Sequence, residues 1–449
     1  MGQTDNKRAP RLRSLPPIPG WLPEYKLVQE AEAIGDVVGL TLLRVLRDLR
    51  LWVDSTPEER LRILLPPSHH RAESVEYASE HSPAIAESLR DLSAMRSDPD
   101  RATAEVLKAA CQRIARWAHR NSLSSIALLY SEAAVRVAPL IAANANYAGR
   151  MARIAGYAER AELWYDYGIG IAGRDGNRNR GEMIRALLGK GLVLREQGRL
   201  DDAKHFLDRA ARLCAATRRH RLAAETHHDL YTLDVMLGAY AEAETHMLRA
   251  LQHYPIHHAA IPGLIHDWCF LLVQQGYYAQ AVPLLRASIP TVKRVEIQLV
   301  SWGTLSRAAA GAGFRDLYEE AVEHMNVLVE RTLAYASAAL IQAANGTRSF
   351  EEWEVALSLA MRARAIAEAR GETEVLQEVE EVTRSILARE SALQIQQPPR
   401  DSRISEIDDR LISVLKARER PVRRPVQSSQ EREASGQLVP ARRVPSSDC

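Results

Sequence analysis

The chain has 449 residues, enough for two or three globular domains or for one extended repeat array. Hydrophobic residues make up 46% and charged residues 26%, the balance of a water-soluble folded protein, and the formal charge of +2 is too small to argue for non-specific nucleic-acid binding. Cys111, Cys214, Cys269 and Cys449 lie far apart with no CxxC pair, which points away from a zinc site or disulfide framework and toward a reducing cytoplasm.

Residues 1–20 are rich in Pro and Arg and are expected to be a disordered arm without the apolar run of a secretory signal. Gly2 follows Met1, but Asn6 stands where a myristoylation signal wants Ser or Thr. Residues 21–100 read as a small helical region of three or four short helices. Its most apolar stretch, Val37 to Val53, is broken by Arg44, Arg47, Asp48 and Arg50, so it suits an amphipathic helix rather than a membrane span. Thr56, Pro57 and Glu59 spell a helix start with a capping box, and Pro66–Pro67 are expected to stop that helix.

From residue 101 to 395 a pattern repeats. Aligned on the residue at a sharp turn, the units fall at Asn121, Gly156, Gly198, Gly238, Gly276, Gly313 and, more loosely, Gly346. Five residues later comes a small or apolar residue: Ile126, Ala161, Ala203, Ala243 and Ala281. A larger apolar residue and a small one follow, as in Tyr165 and Gly168, Leu207 and Ala210, or Met247 and Ala250. Upstream, Gly149, Gly191, Tyr231, Cys269 and Ser306 occupy a close-approach slot. The physical reading is a helical hairpin: a tolerant residue where the chain leaves the first helix, small residues where the paired helices touch, and bulky ones against the next pair. One hairpin cannot bury its apolar face alone, so the hairpins must stack.

The stretches LGKGLVLREQGRLDDAKHFLDRAARL (188–213), DLYTLDVMLGAYAEAETHMLRALQHYP (229–255) and IHDWCFLLVQQGYYAQAVPLLRASIP (265–290) resemble the tetratricopeptide repeat (TPR). The resemblance covers roughly residues 105–390. It departs at Tyr318 and Met325, which replace small residues, and at two extra residues before Phe350. It implies an all-α fold, a right-handed superhelical solenoid of about seven TPR-like hairpins. The spacing between turns exceeds the usual family period by about four residues, roughly one helical turn per hairpin. Such longer units are similar to those of bacterial peptide-sensing and signalling regulators. Residues 396–449 are expected to form a mostly disordered tail with one short helix, 404–417, in which Ile404, Ile407, Leu411, Ile412 and Leu415 fall on a single stripe suited to docking.

Motifs for catalysis are sparse. Gly168, Gly170 and Gly173 spell GxGxxG, but the residues before them have a helical pattern where a dinucleotide turn needs a strand. Eight histidines crowd residues 220–266 without two on one helical face at metal-ligand spacing, and His253 and His257 come nearest with Pro255 between them; helix-surface and turn positions are expected. His266 and Cys269 stand three apart, yet no oxyanion donor or orienting acid accompanies them, and core packing is the better reading. We therefore expect no catalytic residues, no metal and no cofactor.

In the family, the first helix of each hairpin lines the concave surface and binds extended peptides or partner helices. Carried onto this chain, the resemblance gives Lys108, Asn146, Arg150, Arg153, Arg185, Arg195, Glu225, His228, His266 and Arg307 as groove residues. The set is mostly basic and suits carboxylates and backbone groups of a peptide. The expected function is non-catalytic binding of a protein or peptide, possessing acidic groups, by a cytoplasmic scaffold or adaptor. The alternative is a peptide-sensing signalling or transcriptional regulator whose solenoid changes conformation on binding. Nucleic acid and membrane are not expected partners, and homo-oligomers are compatible with the fold.

Overall fold

The computed structural model describes residues 24–390 except 57, 61–68, 99–100, 175, 177 and 371, together with Leu15 and residues 402–419. Apart from Leu15, the expected N-terminal arm lies outside these residues, as do the Pro66–Pro67 stop and the expected tail other than 402–419. Among the described residues every regular element is a helix. The chain divides into two compact units, Met1–Tyr254 and Pro255–Cys449, a boundary that falls inside the stretch read as one array.

In the first unit, α1 (Glu24–Ala33), α2 (Asp36–Asp54), α3 (His69–His81) and α4 (Pro83–Ser97) precede the hairpins. Helix α2 is amphipathic as its spacing predicts, burying Val38, Leu42, Val45, Leu46 and Leu49. The capping box is present: Thr56 N donates to Glu59 Oε2 at 2.8 Å, and Glu59 N donates to Thr56 Oγ1 at 3.3 Å. The hairpins are α5 (Ala104–Arg120) with α6 (Ser124–Val137), α7 (Ala142–Ile154) with α8 (Ala158–Arg174), α9 (Arg180–Glu196) with α10 (Leu200–Thr217), and α11 (His220–Met236) with α12 (Tyr240–His253). Each second helix packs on the first helix of the next hairpin, and α7, α9 and α11 also touch in succession. The runs of 17, 18 and 17 residues in α9, α10 and α11 carry the extra turn expected from the long period.

The N-terminal helices share the core of the first hairpins. The Glu30 carboxylate of α1 accepts from Ser125 N (2.8 Å) and Ile126 N (2.9 Å), neutralising unpaired donors at the start of α6. Tyr130 of α6 donates to Leu42 O of α2 at 2.8 Å. Between α6 and α8 a buried ion pair joins Glu132 to Arg160 at 2.5 and 2.6 Å, and Trp164 Nε1 donates to the same carboxylate at 2.8 Å.

The second unit contains α13 (Ile261–Gln274) with α14 (Tyr278–Ser288), α15 (Val295–Gly311) with α16 (Arg315–Val329), and α17 (Ala336–Arg348) with α18 (Trp353–Arg370). Helix α19 (Thr373–Leu387) packs on α18 and α17, and the tail helix α20 (Ser402–Glu419) packs on α14.

The turn glycines sit where the alignment expects them. Gly156, Gly198, Gly238, Gly276 and Gly313 have φ of 83°, 74°, 69°, 81° and 79°, the left-handed region that a Cβ penalises. The paired contact positions Ala161, Ala203, Ala243 and Ala281 are fully buried. A Cβ at Gly191 would stand 2.8 Å from Leu207 Cδ2, which makes the predicted close approach concrete.

The register needs correction at both ends of the repeat. The left-handed residue of the first hairpin is Ser122 (φ 62°), not Asn121, whose φ is −99°. The contact positions there are Ala127 and Ala134, one beyond Ile126 and Ala133. In the last hairpin the turn is Glu351 (φ 59°), and Gly346 lies inside α17, where its missing Cβ lets Arg307 Cα and Ser306 O approach within 3.2 Å of that position. From Glu351 the expected spacing reaches Ala356, Ala360 and Ala363, all fully buried. Sequence alignment on glycine failed at these two turns because Ser and Glu carry the same backbone conformation there.

Candidate functional site

Six of the ten expected groove residues surround one cleft of about 640 Å³ on the first helices of unit 1. Helix α7 supplies Asn146, Arg150 and Arg153, α9 supplies Arg185, and α11 supplies Glu225 and His228. They meet because α7, α9 and α11 stack side by side, so residues one helical face apart in sequence become neighbours across helices. A smaller cavity of about 190 Å³, lined by Gln112, Arg116, Ser131, Asn144 and Tyr147, shares Ala143 and Tyr147 with the cleft and extends the lined surface to α5.

The other four expected residues stand elsewhere. Arg195 does not line the cleft, although its charge acts on Asp229 at the wall. Lys108 pairs with Glu105 along α5. In the second unit, His266 hydrogen-bonds Asp267 at 3.0 Å and Thr304 at 3.2 Å, and Arg307 donates to Gln342 Oε1 at 2.9 Å. Both tie neighbouring first helices together. Burial lowers the Arg307 guanidinium from its ordinary range, against the opposing Tyr278 and Glu378.

The cleft is less basic than the expected set. Glu182 and Asp229 join Glu225 in its wall. Arg153 is paired with Glu196 at 2.5 Å, Arg185 with Glu182 at 2.6 Å, and Arg221 with Glu225 at 3.1 Å. Arg150 is exposed and, among the described residues, makes no ion pair. Burial pushes the Asp229 carboxyl up, opposed by Arg195, His228 and Arg153. Asn146 Nδ2 donates to both the backbone and the side chain of Glu182 at 2.9 Å, which braces α7 against α9. The Tyr147 hydroxyl and Arg153 Nε are buried without a hydrogen-bond partner among the described residues.

Sequence reasoning missed the aromatic floor. Tyr165 comes from α8, a second helix, and reaches the cleft because Gly149 and Gly189 leave room for its ring. A Cβ at Gly149 would stand 3.0 Å from the ring, and one at Gly189 would fall on the ring itself. Burial raises the Tyr165 phenol to about 12, with Arg153 and Arg150 opposing. A rule that draws groove residues from first helices alone cannot find it; the paired glycines on neighbouring first helices were the available signal. Tyr147 and Asp229 were also missed, although Asp229 follows His228 and lies four residues after Glu225, on the same helical face.

The GxGxxG run lies inside α8, and Gly168 packs against Asn146, so it serves as an inter-helix contact. The Cys269 thiol is fully buried and raised well above its ordinary value by burial, then by Asp408 and Asp267, while His266 is engaged with Asp267 and Thr304. That pair is core and inter-helix packing. The histidines are not all on the surface, contrary to expectation. His227 is buried and meets His246 with Nδ1 atoms 3.0 Å apart, and His220 meets His253 at 3.3 Å. Among the described residues no three His, Cys, Asp or Glu side chains are placed to hold a metal ion, and no helix is long and apolar enough to cross a membrane.

No protein-family model matches the chain, and no curated protein matches it. Among solved structures it is similar to the APC/C Cut9–Hcn1 hetero-tetramer, at 13% identity over 76% of this chain and 62% of that one, TM-score 0.45. It is also similar to the Rap conjugation gene regulator of plasmid pLS20 in complex with a Phr peptide, at 13% identity over 79% of this chain and 98% of that one, TM-score 0.37. The P58(IPK) TPR domain is similar at 14% identity over 78% of this chain and 99% of that one, TM-score 0.22. Left-handed turn residues, buried alanine contacts and stacked antiparallel hairpins in the chain itself make it a TPR-like all-α repeat protein.

Proposed function

We propose that the chain is a non-catalytic adaptor that binds an extended peptide segment of a partner protein in the cleft of its first unit. The observation that carries this reading is Arg150: an exposed cation without an ion pair among the described residues, in a cleft where the other arginines are paired. Tyr147, on the same helix and near enough for the Arg150 charge to act on its phenol, keeps a buried hydroxyl without a hydrogen-bond partner among the described residues. A peptide carboxylate answers Arg150, and a backbone carbonyl answers Tyr147. Leu188, Leu192, Leu222 and Tyr254 offer apolar contact along the wall. The ligand then carries an acid flanked by apolar residues, rather than the uniformly acidic partner that a basic groove would select. Cys111, Cys214 and Cys269 are buried free thiols, which accords with the cytoplasm as its place of action.

The test is capture from lysate of the native cell by immobilised protein, followed by mass spectrometry and mapping of the captured partner on overlapping peptides. Arg150→Glu should weaken the mapped peptide at least tenfold, and Tyr147→Phe should weaken it less, with melting temperatures close to wild type. Binding should also fall with added salt, since exposed charges are screened within about 8 Å at physiological ionic strength. Undiminished binding by folded Arg150→Glu would remove the cleft from consideration.

A further inference from the structure

Helix α20 does not join the second unit as the hairpin helices do. Each of those packs beside its neighbour in sequence, whereas α20 returns to α14 from the far end of the chain. Its contact is a single apolar stripe: Ile404, Ile407, Leu411 and Leu415 are at most 4% exposed. Ile412, expected on that stripe, faces outward at 38% exposure. The outer face is charged, with Arg410 paired to Glu406 at 2.8 Å and Asp409 and Lys416 exposed.

Two polar anchors fix the register. Trp268 Nε1 of α13 donates to Asp408 Oδ1 at 2.9 Å, beneath the helix. Arg418, near the other end, donates to Ile256 O at 2.8 Å and His258 O at 3.1 Å. A buried N–H is costly without an acceptor, so Trp268 favours a helix that carries an acid at that position and disfavours one that would leave its indole N–H unpaired. Amphipathic stripe, directed acid and terminal arginine together are the features of a helix bound in a groove.

We propose that the α13–α14 face is a helix-binding site in its own right, with α20 as its tethered occupant. The helix it accepts has apolar residues at i, i+3, i+7 and i+11, an acid at i+4 and an arginine at i+14, the pattern of Ile404 to Arg418. While α20 is seated, a competing helix is excluded by mass action. A tethered segment acts at an effective concentration of about 1 mM, so if α20 as a free peptide binds with a Kd of about 10 μM, its tethered form holds back any competing helix roughly 100-fold. The site lies in the second unit and stands or falls independently of the peptide cleft.

The test uses full-length chains and a fluorescein-labelled synthetic peptide of residues 402–419, read by fluorescence anisotropy. In the full-length Ile407→Asp/Leu411→Asp variant, α20 is released and the peptide should bind at least tenfold more tightly than to wild type. The same peptide with Asp408→Ala should bind the variant at least tenfold more weakly. Equal binding to both chains, no binding to the folded variant, or indifference to Asp408 would each overturn the proposal. A variant that fails to fold would overturn it too, because a removable occupant cannot be required by the array. Hydrogen exchange of the wild-type chain gives a reading without substitution: α20 amides should exchange before those of α13 and α14, and simultaneous exchange would identify α20 as a fixed part of the unit.

Discussion

Replacing Gly189 by alanine tests how Tyr165 reaches the cleft. In a helix interior, Gly→Ala gains about 1 kcal/mol from propensity alone. At Gly189 the new methyl would fall on the Tyr165 ring, which is held on its other side by Gly149 and cannot retreat without moving α7. Overpacking of this kind costs about 1–3 kcal/mol, so the propensity gain is cancelled or reversed. Gly170, in the interior of α8 with nothing within 4 Å of where a methyl would stand, is the control, and there the full gain should appear. The propensity term is common to both variants, so their difference isolates the clash. At about 2–4 °C per kcal/mol for a unit of this size, Gly170→Ala should melt above wild type and Gly189→Ala clearly below Gly170→Ala. A double-mutant cycle with Tyr165→Leu should recover most of that difference, since residues in contact couple by about 0.5–3 kcal/mol. If the two glycine variants shift together in sign and size, Tyr165 does not fill the window and the aromatic floor is misplaced.

Glu132→Ala should cost about 3–5 kcal/mol in urea unfolding, because it leaves Arg160 buried without its carboxylate and Trp164 Nε1 without its acceptor; a loss below about 1 kcal/mol would show that water reaches the pair. The histidine pairs predict acid sensitivity. Burial, followed by His246, Arg249 and His253, lowers His227 to about 3, and His246 and His253 are also lowered chiefly by burial. The unfolded chain takes up these protons near pH 6.5 while the fold resists, so the stability is fully present above pH 6.5 and is lost as the pH falls toward 3. His227 alone should account for about 2 kcal/mol between pH 6.5 and 5, at 1.36 kcal/mol per unit. Urea unfolding at pH 7.5 and 5.0 should therefore show a smaller acid loss in His227→Gln than in wild type, and equal losses would contradict the burial of a neutral imidazole.

The architecture was legible in the sequence because its cause is local and periodic. A left-handed residue must follow each first helix, and Gly198, Gly238 and Gly276 announce it; alanines must stand where backbones touch, and Ala203, Ala243 and Ala281 mark the places. The same locality explains the two failures, since Ser122 and Glu351 adopt the turn conformation without the residue that signals it. Which charges face the cleft was partly legible: Asn146, Arg150, Arg153, Arg185, Glu225 and His228 were implied by the TPR resemblance, which puts the first helices on the concave surface. Whether those charges are free was not. Pairing depends on the folded arrangement of helices, so only the folded chain shows that Glu196, Glu182 and Glu225 answer three arginines and that Arg150 has no ion pair among the described residues. Tertiary structure alone also decided the meetings of residues far apart in the chain: Tyr165 between two glycines of different helices, Glu30 on the start of α6, and Asp408 under Trp268. Periodicity states which face of a helix is buried, and the stacking of whole helices determines what that face meets.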